Sequence, residues 1–323
     1  TTEIYTLSLH DALPISFDVK KLHMKKQIHT SRIIRIDLPS EAGFEEYRNK
    51  PGKEYSYNRY NEAGNITELI RFNDYGDVIG RSVYHYDEKN LLKGEETFDE
   101  DGNLEEKISF DRDEKGRITH EYIHYLDDTK DTIHFAYNED GKLIRKTTVT
   151  DDGETEREEV FEWDGEKLMS EEMIEEGETA RKSVFDYDDE GNIISIDQEG
   201  ADEDSHIEND YDEQGNRIKY LKYDADDNLV EKHFFTYDEK NRVIEIIEED
   251  RTKKNTVQMV YDEHGNAIRQ TETNRQGNIN HDLERDYDEF GNVTEVRANL
   301  GGTPGNPERK YILVYEYEFF ESH

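Results

Sequence analysis

The sequence predicts an all-β protein, a long antiparallel meander of short hairpins coiled into a spiral, trough or open shell. Three observations carry this expectation. A turn phrase recurs along the chain: YNEAGN (60–65), YDEKN (86–90), YNEDGK (137–142), YDDEGN (187–192), YDEQGN (211–216), YDEKN (237–241), YDEHGN (261–266) and YDEFGN (287–292). The stretches between phrases place aromatic residues two apart, as a strand with one better-buried face requires. The chain is 37% charged and 32% hydrophobic, too polar for a thick central core. Its 21 Tyr and 13 Phe, set in regular order, separate it from a disordered chain.

The aromatic residue that opens each strong phrase falls at 60, 86, 110, 137, 163, 187, 211, 237, 261 and 287. Looser phrases sit halfway: FNDYGD (72–77), FDEDGN (98–103), YDADDN (223–228) and TNRQGN (273–278). The structural step is therefore one strand and one tight turn. Asp or Asn begins each turn because its side chain bonds backbone N–H groups further along. Gly three positions on supplies positive φ, so Gly64, Gly102, Gly141, Gly191, Gly215, Gly265 and Gly291 are predicted there. Asn90 and Asn241 take the same slot, as the non-Gly residue that best tolerates it.

Strand-like segments lie between the turns, among them ITELIRF (66–72), TIHFAY (132–137), VFEW (160–163) and HFFTY (233–237). Short turns join antiparallel neighbours, so strong turns gather on one edge of the ribbon and loose turns on the other. Roughly twenty strands cannot stay flat, since each neighbour twists by about 20–25°. An open meander has two bare edges. The first candidate strand, RIIRIDL (32–38), and the last, KYILVYEYEFF (310–320), are expected to be covered. Either the 17–55 arm folds back on the sheet, or the C-terminal edge pairs with another subunit or partner.

Four regions follow. Residues 1–16, TTEIYTLSLHDALPIS, match the translation of a common short-read sequencing adapter and are set aside as non-native. Residues 17–55 form a basic N-terminal arm, 56–299 the repeat domain, and 300–323 a C-terminal loop and capping strand. A start at Met24, which has no apolar leader after it, favours the cytoplasm; a signal lost upstream would favour the cell surface or secretion.

The formal charge is -39. Residues 17–59 carry 10 Lys/Arg and 6 Asp/Glu, a net of +4, so the acid lies in the repeats. Such a surface repels phosphate backbones and anionic lipid. Nucleic acid and membrane insertion are therefore not expected. A basic protein is the favoured partner, a carbohydrate a further one, and edge-mediated self-association is open. The chain has no Cys, hence no disulfide and no thiolate chemistry.

Two motifs invite chemistry. HEYIH (120–124) fits H-E-x-x-H, but the zincin reading needs a helix and this segment is in strand register. On a strand His120 and His124 stand roughly 13 Å apart. DYDDEGNIISID (186–197) mimics a calcium loop, with Asp186, Asp188, Glu190 and Asp197 as the residues nearest to a metal site; the flanking helices are lacking. No catalytic constellation and no cofactor site emerges, so an enzyme is not expected, and no dedicated metal site is assigned. The sequons NIT (65–67) and NVT (292–294) arise in Asn-rich turns.

The repeated Tyr-Asp-x-x-Gly-Asn/Arg phrases across residues 55–299 resemble RHS/YD-repeat proteins. The resemblance implies a β-spiral or hollow shell, in some members enclosing a C-terminal toxin. No RHS core signature or added globular domain follows the repeats here. The expected function is a non-enzymatic binding or scaffold surface for a protein or glycan. The alternatives are a piece of a toxin-delivery shell, or an antitoxin- or immunity-like acidic binder.

Overall fold

The structure is a computed structural model that describes residues 27–200, 204–302 and 308–321. Residues 1–16 and Met24 lie outside them.

Twenty-two strands follow one another around a single sheet. The first quarter comprises β1 (Ile28–Leu38), a one-turn helix α1 (Phe44–Tyr47), β2 (Lys53–Tyr60), β3 (Ile66–Phe72), β4 (Val78–Tyr86), β5 (Leu92–Phe98) and β6 (Leu104–Arg112). Next come β7 (Ile118–His124), β8 (Lys130–Tyr137), β9 (Leu143–Val149), β10 (Thr155–Asp164) and β11 (Lys167–Glu175). Then follow β12 (Glu178–Tyr187), β13 (Ile193–Gly200), β14 (Ser205–Tyr211), β15 (Arg217–Asp224), β16 (Leu229–Tyr237) and β17 (Val243–Asp250). The last are β18 (Lys254–Tyr261), β19 (Ala267–Asn274), β20 (Ile279–Tyr287), β21 (Val293–Leu300) and β22 (Arg309–Phe319).

The meander, its all-β class and its two-edged turn pattern are as the sequence predicts. The seven glycines have φ between 79° and 93°, and Asn90 and Asn241 have φ of 60° and 58°. One repeat start shifts: in the third strong turn the residue before Asp113 is Arg112, and Phe110 lies two positions earlier.

The open spiral, trough or shell is overturned. β1 pairs antiparallel with β22 from Ile28↔Phe319 to Leu38↔Lys310, and with β2 on its other side. The sheet therefore closes into a barrel. The edge cover comes from within the 17–55 segment, as a strand rather than an arm laid over the sheet. Two physical causes favour closure. Bulges recur beside the turns, as between Asp210/Tyr211, Thr236/Tyr237 and Val260/Tyr261, and each bulge deepens the local curl. The two end strands also carry matching apolar stripes. Ile36, Leu38 and Ile312 are buried together under Ala42, Phe44 and Tyr47 of the β1–β2 connection. Ile312 is 0% exposed.

Closure fixes two faces. Closure crowds side chains on the concave side, so the face bearing the aromatic ladder, the better buried over most strands, is assigned to the lumen. Phe185, Ile196, Ile207 and Tyr220 form its main apolar cluster. With neighbouring strands about 4.8 Å apart and tilted as in other barrels, a round ring of this many strands is roughly 35–45 Å across at the backbone. Packing between the described elements is almost wholly between ladder neighbours, with α1 on β1 the main addition.

Candidate binding surfaces on the rim and the lumen wall

In most strong turns an opening Asp and the acid after it take two roles, with Asn61 and Asn138 standing in for the Asp in two of them. In the turn at 211–216, Asp212 Oδ1 accepts N–H bonds from Gln214 (3.0 Å) and Asn216 (2.8 Å), and Asn216 Nδ2 donates to Asp212 Oδ2 (2.9 Å). Gly215 N–H donates to the Asp212 carbonyl at 3.0 Å. The amide of Asn216 and these backbone donors hold the Asp212 carboxyl below its ordinary range. Asp238, bonded by the Arg242 guanidinium and then by backbone N–H groups, is pulled down to about 2. The next residue takes no part in the turn and faces solvent. Around one mouth this places exposed Glu62, Glu88, Glu114, Glu139, Asp189, Glu213, Glu239, Glu263 and Glu289. Lys89, Lys115 and Lys240 follow in three of these turns. Same-rim turns recur every second strand, roughly 9.5 Å apart, about one Debye length at physiological salt.

The aromatic residue before most strong turns is a backbone clamp, while the Tyr60 hydroxyl meets Ser31 Oγ at 3.2 Å. Tyr86 Oη donates to the Ile66 carbonyl at 2.8 Å, just beyond the last β3–β4 ladder pair, Glu68↔Val83. Tyr137, Tyr187, Tyr211, Tyr237, Tyr261 and Tyr287 repeat the bond to Ile118, Leu168, Ile193, Arg217, Val243 and Ala267 at 2.7–2.9 Å. Trp163 Nε1 does so to Leu143, and Arg112 substitutes in the third turn with Nη2 to Leu92. The ring faces are occupied too. Arg117 lies 4.5 Å over Tyr137, Lys142 4.9 Å over Trp163, Lys167 5.1 Å over Tyr187 and Arg242 4.4 Å over Tyr261. At these rings neither the polar group (the Tyr hydroxyl or the Trp163 N–H) nor the capped face is free for a ligand.

Further from that rim the lumen wall becomes polar. His233 Nε2 lies 2.9 Å from Glu231 Oε1, and His281 Nδ1 3.0 Å from Glu272 Oε2. Glu272 is 3% exposed and also accepts Asn280 Nδ2 at 3.0 Å. Burial alone would raise its pKa, but His281 and Asn280 bring it below the ordinary range. Glu248, opposite His233, has the reverse balance: burial pushes its carboxyl up. This row left no sequence signal, because Glu and His at period two also describe a solvated strand face. Equally unsignalled is Arg48, after α1, which reaches Glu295 (2.9 Å) and Asp286 (2.8 Å), where Arg297 also binds.

The calcium-loop residues do not converge. Asp186 Oδ2 accepts Ser195 Oγ at 3.2 Å, Asp188 is the turn residue bonded by Asn192, and Asp197 Oδ1 is 2.7 Å from His206 Nδ1. Glu190 is an exposed turn residue. Among the described residues no group of three or more His, Asp or Glu is arranged to hold a metal ion. HEYIH is on β7, a strand, with His124 Nε2 2.8 Å from Ser109 Oγ. Asn292 of one sequon is tied to Asp288 at 2.8 Å.

A family model described only as "Uncharacterised protein" matches residues 173–289. No curated protein matches the chain. Among solved structures it is similar to TcdB2-TccC3 without its hypervariable C-terminal region, at 11% identity and a TM-score of 0.31, covering 90% of this chain and 21% of that one. The chain thus spans about a fifth of that protein's length. Porin-like proteins from Bacteroides uniformis (12% identity, TM-score 0.33, 90% of this chain and 98% of that) and Bacteroides vulgatus (9%, 0.26, 91% and 99%) are also similar. Superpositions this loose carry no argument about function, which rests on the chain's own side chains.

Proposed function

We propose that the protein is a non-enzymatic binding scaffold, a ring of hairpins that presents an acidic rim to a basic protein partner. The observation that carries this reading is the division of labour in the strong turns. The opening Asp or Asn is committed to the turn backbone, and the acid after it, repeated around the mouth, takes no part in the turn bonding. Carboxylates on a rigid frame steer a cationic partner and raise its association rate. A glycan is the weaker partner, because the clamped rings offer capped faces.

Among the described residues neither face carries the uninterrupted apolar band of a membrane barrel. Mid-strand, the lumen shows Lys146 bonded to Glu159 at 3.0 Å, and the exterior shows Glu68 between Arg59 and Arg81. This supports a reading without membrane insertion.

The test compares two variants of equal net charge. One changes the nine rim acids to Gln; the other changes nine exterior carboxylates. Binding of a strongly basic model protein is followed by biolayer interferometry at rising salt. Loss confined to the rim variant is expected. Equal weakening in both would reduce the effect to net charge and remove the rim as a site.

A further inference from the structure

The HEYIH segment has a partner that its own spacing hides. His120, Tyr122 and His124 project from the outer face of β7. The β7–β8 register sets His120 directly opposite His134, and their ring centroids are 4.9 Å apart. The β6–β7 register sets Asp111 opposite His120 on the other side.

We propose that His120 and His134 form a two-histidine chelate for a borderline divalent transition-metal cation, Cu²⁺ or Ni²⁺ ahead of Zn²⁺. Imidazole suits these ions, and their affinity order follows the Irving–Williams series. Metal–nitrogen bonds of about 2.0–2.1 Å place two cis nitrogens about 3 Å apart. With His120 held, the exposed His134 ring is the one that turns about χ2 to bring its nitrogen toward that span. His120 Nδ1 lies 3.2 Å from Thr119 Oγ1, which leaves Nε2 as its coordinating atom. Tyr122 stacks on His120 at 5.9 Å and 5° and donates its hydroxyl to Asp111 at 2.8 Å, so one arm is held in place. His134 is exposed, which gives the ion access from solvent. The remaining coordination positions go to water, since no third ligand among the described residues completes the set. His124, the other histidine of the motif, is two residues beyond Tyr122 and bonded to Ser109, out of reach of the pair.

The experiment titrates the full chain with Ni²⁺, then Cu²⁺, by calorimetry, in the wild type and in His120→Ala, His134→Ala and His124→Ala. The absence of Cys removes thiolate competition. Removing either arm of a chelate abolishes its effective-concentration advantage, so about a tenfold or greater loss of affinity is expected in His120→Ala and His134→Ala. His124→Ala should bind as the wild type does. Cu²⁺ paramagnetic resonance gives a second readout: two nitrogen ligands in the wild type and one in His134→Ala. Thermal melts check that each variant is folded. A loss in His124→Ala equal to that in His134→Ala, an unchanged His134→Ala, or no saturable site in the wild type would each overturn the proposal.

Discussion

The hydroxyl of Tyr237 donates to the carbonyl oxygen of Arg217 at 2.8 Å, across the gap that opens where the β15–β16 ladder ends at Lys219↔Phe234. The bond joins the end of one hairpin to the start of the strand beside it. Repeated around the rim, it turns a string of hairpins into a continuous wall.

Tyr237→Phe and Tyr261→Phe are each expected to lower stability by about 1 kcal/mol, the net value of a hydrogen bond whose loss leaves a carbonyl poorly satisfied. Tyr223→Phe, whose hydroxyl meets Glu208 at 3.3 Å on the outer face, should change little. Urea midpoints of the three variants decide this. Equal effects would mean that the rim bonds add nothing beyond ring burial.

Acid should unfold the barrel through its turns. Asp188, Asp212, Asp238 and Asp262 all have folded-state pKa values below the ordinary one. The unfolded chain therefore binds more protons in acid. Their contribution is full above the unfolded value of about 4. It is lost as pH falls through the folded values, the lowest being that of Asp238 at about 2. Asp→Asn at these four sites should flatten the melting-temperature profile in that window and leave the profile above it parallel to the wild type.

Glu248 should act in the opposite sense. Its folded pKa is raised by burial, so its charged form disfavours the fold and stability falls as pH rises through the folded value. Glu248→Gln is expected to raise the melting temperature at pH 7, with the gain vanishing on acidification as the wild-type carboxyl takes up its proton. Glu272→Gln should lower it, because His281 and Asn280 lose a charged acceptor.

The seam should be sensitive to packing. Ile312→Ala removes a fully buried side chain between Ile36 and Leu38, a change that typically costs about 2–5 kcal/mol. It should also expose strand edges, measurable as concentration-dependent light scattering at temperatures where the wild type is monodisperse. Val184→Ala, at 40% exposure on the outer face, is the matched control and should do neither.

Local structure was legible because it is written locally. Asp212, Gly215 and Asn216 sit within one turn, and Asn241 in place of Gly identifies the φ it must adopt. Closure was not, because it depends on small twists summed over many strands. RIIRIDL and KYILVYEYEFF each read as edge strands, and no pattern within either names the other as partner. The split between Asp212 and Glu213 was hidden for a related reason: both are acidic, and only the hydrogen bonds separate their roles. The phrase at 110 misled because Phe110 is aromatic at roughly the expected spacing, while the residue that performs the clamp is Arg112.

The amide of Phe320 donates to the carbonyl of Gln27 at 2.9 Å, so the first and last described strands stand side by side on the same rim. A ring of antiparallel strands closes this way only when their number is even, and lengthening or shortening it must proceed by whole hairpins. Such a ring also has no preferred beginning. A short linker from residue 321 to residue 27, with new ends opened in an exposed turn such as Asp226–Asp227, should yield circular permutants that regain the same barrel, because every ladder is kept and only the place of the cut has moved.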